Sequence, residues 1–142
     1  MTTWWQRRAV VPSLTAGFIM DGYVLLVEDN EDIREMMSLA LQLAGARVVC
    51  ASNGLEALSI LKDRRPPDII LLDLMMPVMN GWEFSAELKR DERLQGIPIV
   101  VISAMGEPGA ASLRPAEFIA KPVDIDRLID VVAEHTSRAG KD

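Results

Sequence analysis

Residues 24–30 read Val24-Leu25-Leu26-Val27-Glu28-Asp29-Asn30, four consecutive apolar side chains cut off by two carboxylates. A strand with one wet face alternates apolar and polar residues. An unbroken apolar run therefore suits a strand covered on both faces, as in a parallel sheet. The texture recurs along the chain. Arg47-Val48-Val49-Cys50-Ala51 predicts a second strand, and Ile69-Ile70-Leu71-Leu72 a third ending at Asp73. Ile97 to Ile102 predicts a fourth ending at Ser103, and Glu117-Phe118-Ile119-Ala120 a shorter fifth ending at Lys121-Pro122.

Between these runs the apolar period changes to that of a helix. Ile33, Met36, Met37, Ala40, Leu41 and Ala44 form one stripe, with Asp29 or Asn30 placed to cap it and Gly45 to stop it. Ser52-Asn53-Gly54 turns into a helix with Leu55, Leu58 and Leu61 inward, closed by Pro66-Pro67. Trp82 to Arg90 follows Asn80-Gly81 as helix, and Ile125, Leu128, Ile129 and Val132 mark the last one. Alternating strands and helices imply right-handed crossovers, hence an α/β doubly wound five-stranded parallel sheet, most simply ordered 2-1-3-4-5.

With 142 residues the chain has room for one domain with a full core. Residues 23–136 carry the pattern, residues 1–22 read as a loose extension or the product of an upstream start, and 137–142 as a short tail. Trp4-Trp5-Gln6-Arg7-Arg8 offers an interfacial anchor as the alternative, while Pro12-Ser13 interrupts any signal-peptide core. No apolar stretch is long enough for a membrane span. A net charge of −6 without a basic run argues against direct nucleic-acid binding. The single cysteine, Cys50, supports neither a disulfide framework nor a zinc site, which fits a cytoplasmic location. The single histidine, His135, leaves no Ser-His-Asp constellation within one chain.

In a parallel sheet all strands end on the same edge, where ligands of open α/β folds bind. The predicted endings are Glu28-Asp29, Asp73, Ser103 and Lys121. Three converging carboxylates repel one another, and a hard divalent cation with a taste for oxygen, Mg²⁺ above all beside phosphate, relieves that repulsion. Ser103 and Lys121 suit phosphoryl oxygens, one as a hydroxyl donor and one as a point charge. Carboxylates form aspartyl-phosphates, so the set suits a phosphoryl group on a carboxylate. Taken singly, Asp73 also reads as a cap and Lys121 as a solvated lysine.

From Tyr23 to about Thr136 the chain resembles the CheY-like receiver domain of two-component response regulators. The blocks are Val24-Leu-Leu-Val-Glu28-Asp29-Asn30, Ala51-Ser-Asn-Gly54-Leu-Glu-Ala-Leu58, Asp68-Ile-Ile-Leu-Leu-Asp73-Leu-Met-Met-Pro77-Val-Met-Asn-Gly81, Ser103-Ala104 and Lys121-Pro122. The resemblance implies a flavodoxin-like fold and a phosphorylation-activated switch. Asp73 is then the phosphoacceptor. Glu28, Asp29, Asp73 and the backbone carbonyl of Met75 hold Mg²⁺, and Ser103 and Lys121 bind the phosphoryl group. Phe118 becomes the aromatic that swings inward on activation, with the small Ala104 leaving it room. Lys121-Pro122 is expected in cis. The phosphodonor is a histidine kinase or a histidine phosphotransfer protein, or else a small acyl phosphate. No output domain is expected after the last helix, so the chain reads as a stand-alone module.

Two departures from the family pattern stand out. Gly106, Pro108, Gly109 and Pro115 between Ser103 and Lys121 leave at most a turn of helix around Ala110 to Arg114, where receivers place a full fourth helix. Met75 and Met105 occupy positions that tune phosphoryl lifetime in the family, and apolar side chains there imply slow self-dephosphorylation. Two other functions compete: a Mg²⁺-dependent phosphohydrolase with an aspartyl-phosphate intermediate, and a receiver-fold adaptor that is never phosphorylated. The hydrolase requires an acid two residues after the nucleophile, where this chain has Met75, so an enzyme acting on another substrate is not expected.

Overall fold

The computed structural model describes residues 22–104 and 110–136. β1 (Val24–Val27) lies mid-sheet, paired in parallel with β2 (Val48–Ala51) and with β3 (Ile69–Asp73). β4 (Ile99–Ala104) and β5 (Glu117–Lys121) continue outward from β3, giving the expected order 2-1-3-4-5. Helices α1 (Glu31–Leu43), α2 (Gly54–Asp63) and α3 (Gly81–Leu88) fill the first three crossovers, and α4 (Ile125–Thr136) follows β5.

All four β1 residues are buried because alternate side chains enter different cores. Val24 and Leu26 meet Met37 and Leu41 of α1 and Leu128 and Val132 of α4. Leu25 and Val27 meet Leu61 of α2 and Phe84 and Leu88 of α3. A one-residue slip of β1 would exchange these two sets of contacts.

The helix starts follow from short polar side chains that accept from the N–H groups of the first turn. Asn30, rather than Asp29, caps α1, its side-chain oxygen accepting from the Ile33 N–H at 2.9 Å. Asn53 does the same for α2 at 2.8 Å, and Asp124 accepts from the Asp126 N–H at 3.0 Å at the start of α4. Asn80 and Glu83 form a reciprocal capping box on α3, with bonds of 2.9 and 3.0 Å. Gly45, with φ at 107°, ends α1 in a conformation that other residues avoid.

Some boundaries differ from the sequence pattern. β4 begins at Ile99 instead of Ile97, since the Ile97 N–H turns back to the Leu94 carbonyl (3.4 Å) and Pro98 has no N–H to offer the ladder. It runs on through Ser103 to Ala104, and β5 to Lys121, because these ends pair with each other. β2 starts at Val48, although the Arg47 carbonyl already accepts from the Val24 N–H. α3 covers Gly81–Leu88 instead of Trp82 to Arg90. The expected loss of a full helix between β4 and β5 is borne out: the described part of that crossover holds one 3-10 turn, Ala110–Leu113. The extension up to residue 21, the tail from 137 and Met105 lie outside the described residues.

The β3–α3 connection is held at both ends. The Gly81 N–H donates to the Leu74 carbonyl at 3.0 Å, and a Cβ on Gly81 would lie 2.8 Å from the Leu74 Cα, so only glycine allows this approach. In its middle, the Met79 N–H bonds to the Pro77 carbonyl (2.7 Å) around Val78, whose φ is 70°. That γ-turn hand is strained for a β-branched residue. Val78 is 72% exposed, so little packing offsets the strain. Val78→Asn is expected to stabilise the fold by about 1 kcal/mol, read as a higher urea midpoint at unchanged slope; an unmoved or lower midpoint would contradict the strain.

Candidate functional site

The sheet register determines what meets at the carboxyl edge. Val27 pairs with Leu72, Asp73 with Ile102, and Ala104 with Lys121. Glu28 and Asp29 therefore leave β1 beside Asp73, while Ser103 and Lys121 close the far side. Glu28, Asp73 and Ser103 are buried and Asp29 is exposed. One carboxylate oxygen from each of Glu28, Asp29 and Asp73 lies within 4.8 Å of the others.

Lys121 is the counter-charge. Its Nζ stands 3.1 Å from Glu28 Oε1 and 3.5 Å from Asp73 Oδ1. The Met75 N–H donates to Asp73 Oδ1 (3.4 Å), and the Asn30 N–H to Glu28 Oε2 (3.1 Å). Among the described residues, buried Glu28 Oε1 has no hydrogen-bond donor, and its compensation is the ion pair with Lys121. Three carboxylates against one ammonium leave the cluster short of positive charge. Oxygen-only donors with one buried oxygen unsatisfied fit a hard divalent cation.

This imbalance shapes the titration of Asp73. Burial, then the charge of Glu28, push its pKa up to about 7, against the pull of Lys121; a side-chain hydrogen bond with Asp29 adds to the rise. Burial by itself would lower the Lys121 pKa, but the hydrogen bond to Glu28 and the charges of Asp73 and Glu28 outweigh it, so the ammonium is held above its ordinary value.

Phe118 sits apart from this cluster. Half-buried on β5, it packs with Trp82 and Leu113 against Leu74 and Val101, whereas Ala104 is exposed. Met75 is 60% exposed at the mouth of the site. The peptide bond between Lys121 and Pro122 is cis. Two supporting contributions escaped the sequence reading. One is the Asn30 N–H on Glu28. The other is Arg34, whose Nη1 donates to the carbonyls of Glu28 (2.9 Å) and Asp29 (3.4 Å). Arg34 lies one turn beyond the Asn30 cap, which is the only sequence signal that it could reach back. His135 groups with Glu117 and Glu134 at the opposite end of β5, where Arg127 already stands 3.8 Å from Glu117.

A sequence model described as the response regulator receiver domain matches residues 24–133. The chain belongs to the response regulator receiver family. This receiver is 44% identical over 110 residues to the phosphate regulon transcriptional regulatory protein PhoB of Pseudomonas aeruginosa, covering 75% of this chain and 48% of PhoB. It thus spans about half of that relative's length. It is 31% identical over 120 residues to the polar-differentiation response regulator DivK of Brucella anthropi, covering 82% of this chain and 97% of DivK. Among solved structures, the chemotaxis response regulator CheY4 of Vibrio cholerae superposes with a TM-score of 0.73 at 30% identity, covering 80% of this chain and 98% of that one. A CheY-like receiver domain protein from Methanospirillum hungatei gives 0.76 at 29% identity, covering 85% and 98%. No helix among the described residues is long and apolar enough to cross a membrane.

A pH dependence follows for the metal-free receiver. Folded Asp73 titrates well above its ordinary 3.8, so between about pH 4 and pH 7 the folded state binds a proton that the unfolded state has released. Stability contributed by this group is present at low pH and falls as pH rises, by at most about 1.4 kcal/mol per pH unit. In urea titrations with a chelator present, Asp73→Asn should gain stability over the native chain as pH rises from 4.5 to about 8; a constant difference would refute the assignment.

Proposed function

We propose that this receiver is a phosphorylation-activated switch. It accepts a phosphoryl group on Asp73 from a histidine kinase or histidine phosphotransfer protein in the cytoplasm, with Mg²⁺ as cofactor. The observation that carries the reading is the buried Asp73 carboxylate flanked by Glu28 and Asp29, with the Lys121 ammonium 3.5 Å from its Oδ1. In the transfer, an Asp73 carboxylate oxygen attacks phosphorus, a P–O bond forms, and the donor's P–N bond breaks with the imidazole leaving. Glu28, Asp29, Asp73 and the Met75 carbonyl are the groups that would hold Mg²⁺, which when bound supplies the positive charge that lets a carboxylate and a phosphoryl group approach. Lys121 supplies a fixed ammonium to the arriving phosphoryl oxygens, and Ser103 a hydroxyl donor at the end of β4. Burial of Asp73 keeps bulk water off the acyl phosphate.

An activity limited to its own aspartyl phosphorylation and dephosphorylation is favoured over phosphohydrolysis. Met75 has no proton to give a leaving group, in contrast to the acid that such enzymes place there.

Incubation with Mg²⁺ and acetyl phosphate, followed by intact-mass measurement, should show one added phosphoryl group. Asp73→Asn and chelation should each abolish it, and Lys121→Ala should reduce it at least tenfold. Uptake by Asp73→Asn, or uptake indifferent to chelator, would overturn the reading. A second expectation concerns lifetime. The Met75 side chain cannot orient an attacking water, so Met75→Asn should shorten the phosphoryl half-life several-fold, measured by mass after removal of the donor; an unchanged half-life would assign control of hydrolysis elsewhere.

A further inference from the structure

The short crossover between β4 and β5 leaves a mark on the fold far from the acidic cluster. A full helix of ten residues spans about 15 Å, whereas a four-residue 3-10 turn spans about 8 Å. Among the described residues of that crossover, the helical part is the turn Ala110–Leu113. Beside it lies a cavity of about 230 Å³ between the end of α3, the start of β4 and that turn. It opens at Ile99, four residues before Ser103, on the order of 13 Å from the strand end at the ~3.3 Å rise of a parallel strand.

Three features decide what this cavity accepts. Its volume is that of about seven or eight waters at ~30 Å³ each, below the ~300–1,000 Å³ common for small-molecule sites. It has room for one bulky side chain. Its floor is apolar, with Leu88, Leu94, Ile99 and Leu113, and the Gln95 amide at its edge is already spent on the Lys89 carbonyl (2.7 Å). Ser85, Lys89 and Arg114 line it too, so the cavity sets polar groups beside its apolar surface, as an amphipathic occupant requires. Finally, among the described residues the charged ones lining it are Lys89 and Arg114, both cations and both exposed, on a chain with net charge −6. Arg114 holds φ at 49°, a conformation in which a large side chain is strained.

We propose that this groove docks an acidic amphipathic helix of a partner protein, which seats one large apolar residue in the cavity and sets carboxylates against Lys89 and Arg114. The docked helix lies beside the turn Ala110–Leu113 and the end of α3. The apolar anchor supplies the affinity, and the cations supply selectivity against basic partners. This does not depend on phosphorylation of Asp73.

The test uses the full chain and two fluorescein-labelled peptides of about four helical turns. Both carry the same leucine face, one with glutamate and the other with lysine on its polar face. Fluorescence anisotropy should show the glutamate peptide binding at least tenfold more tightly than the lysine peptide. Binding should shift the methyl resonances of Leu88 and Leu113. The double variant Lys89→Glu, Arg114→Glu should lose about tenfold in affinity for the glutamate peptide and gain affinity for the lysine peptide. Ala116→Trp, which fills the cavity from its rim without touching either charge, should weaken the glutamate peptide independently. Equal affinity for both peptides, methyl shifts confined elsewhere, or glutamate-peptide binding indifferent to both variants would overturn the proposal. So would self-association in sedimentation velocity that the double variant abolishes, because a second copy would then be the occupant.

Discussion

The Lys121 ammonium, set between two buried carboxylates, is the interaction on which the site depends. Burying Glu28 or Asp73 alone would cost several kcal/mol on the scale of desolvated ions. Lys121 meets both at 3.1 and 3.5 Å and still leaves the cluster negative. The protein therefore holds a standing electrostatic deficit. A proton on Asp73 relieves it, consistent with the pKa pushed up to about 7, and so does a cation among the three acids. A carboxylate that a shared ammonium keeps near the boundary of ionisation is readily made nucleophilic by added positive charge.

The fold keeps this deficit in place through backbone contacts that carry no charge. Parallel register brings Glu28 beside Asp73 and Lys121 beside Ala104. The Asn30 and Asn80 caps start the helices that follow β1 and β3. Gly81 closes on Leu74, the residue after Asp73, more tightly than any side chain would permit. Arg34 ties the carbonyls of Glu28 and Asp29 to the first turn of α1, so the acidic turn cannot spread to relieve its own repulsion.

Much of this was legible in the sequence because its signals are local. Apolar runs buried on both faces and asparagines at helix starts locate the strands and crossovers, and parallel strands oblige their ends to share an edge. That is why Glu28, Asp29, Asp73 and Lys121 could be read as one cluster. What remained hidden depends on contacts made at a distance. The start of β4 shifts because Ile97 bonds back to Leu94. The left-handed geometry at Val78 is imposed by the anchored loop, against the residue's own preference. Arg34 reaches its carbonyls only once α1 has packed. The surroundings of Phe118, with Trp82 and Leu113, depend on how little chain the last crossover provides.

That crossover bears on how far a local charge change can travel. Phosphorylation adds about −1.5 to −2 charges. On the proposed function, charge-assisted hydrogen bonds from Ser103 and Lys121, at about 1.5–3 kcal/mol each, would favour one conformation by roughly 3–6 kcal/mol if made in that conformation only. Inverting a 1:99 equilibrium takes about 5.5 kcal/mol, so the site alone can barely drive a full switch. Leu74 follows Asp73 directly and packs with Val101 against Phe118 and Leu113. A displacement of the Asp73 loop is therefore felt first in the cluster that Trp82 of α3, Phe118 of β5 and Leu113 of the 3-10 turn enclose. Leu113 is thus the point at which the short crossover touches the residue next to Asp73.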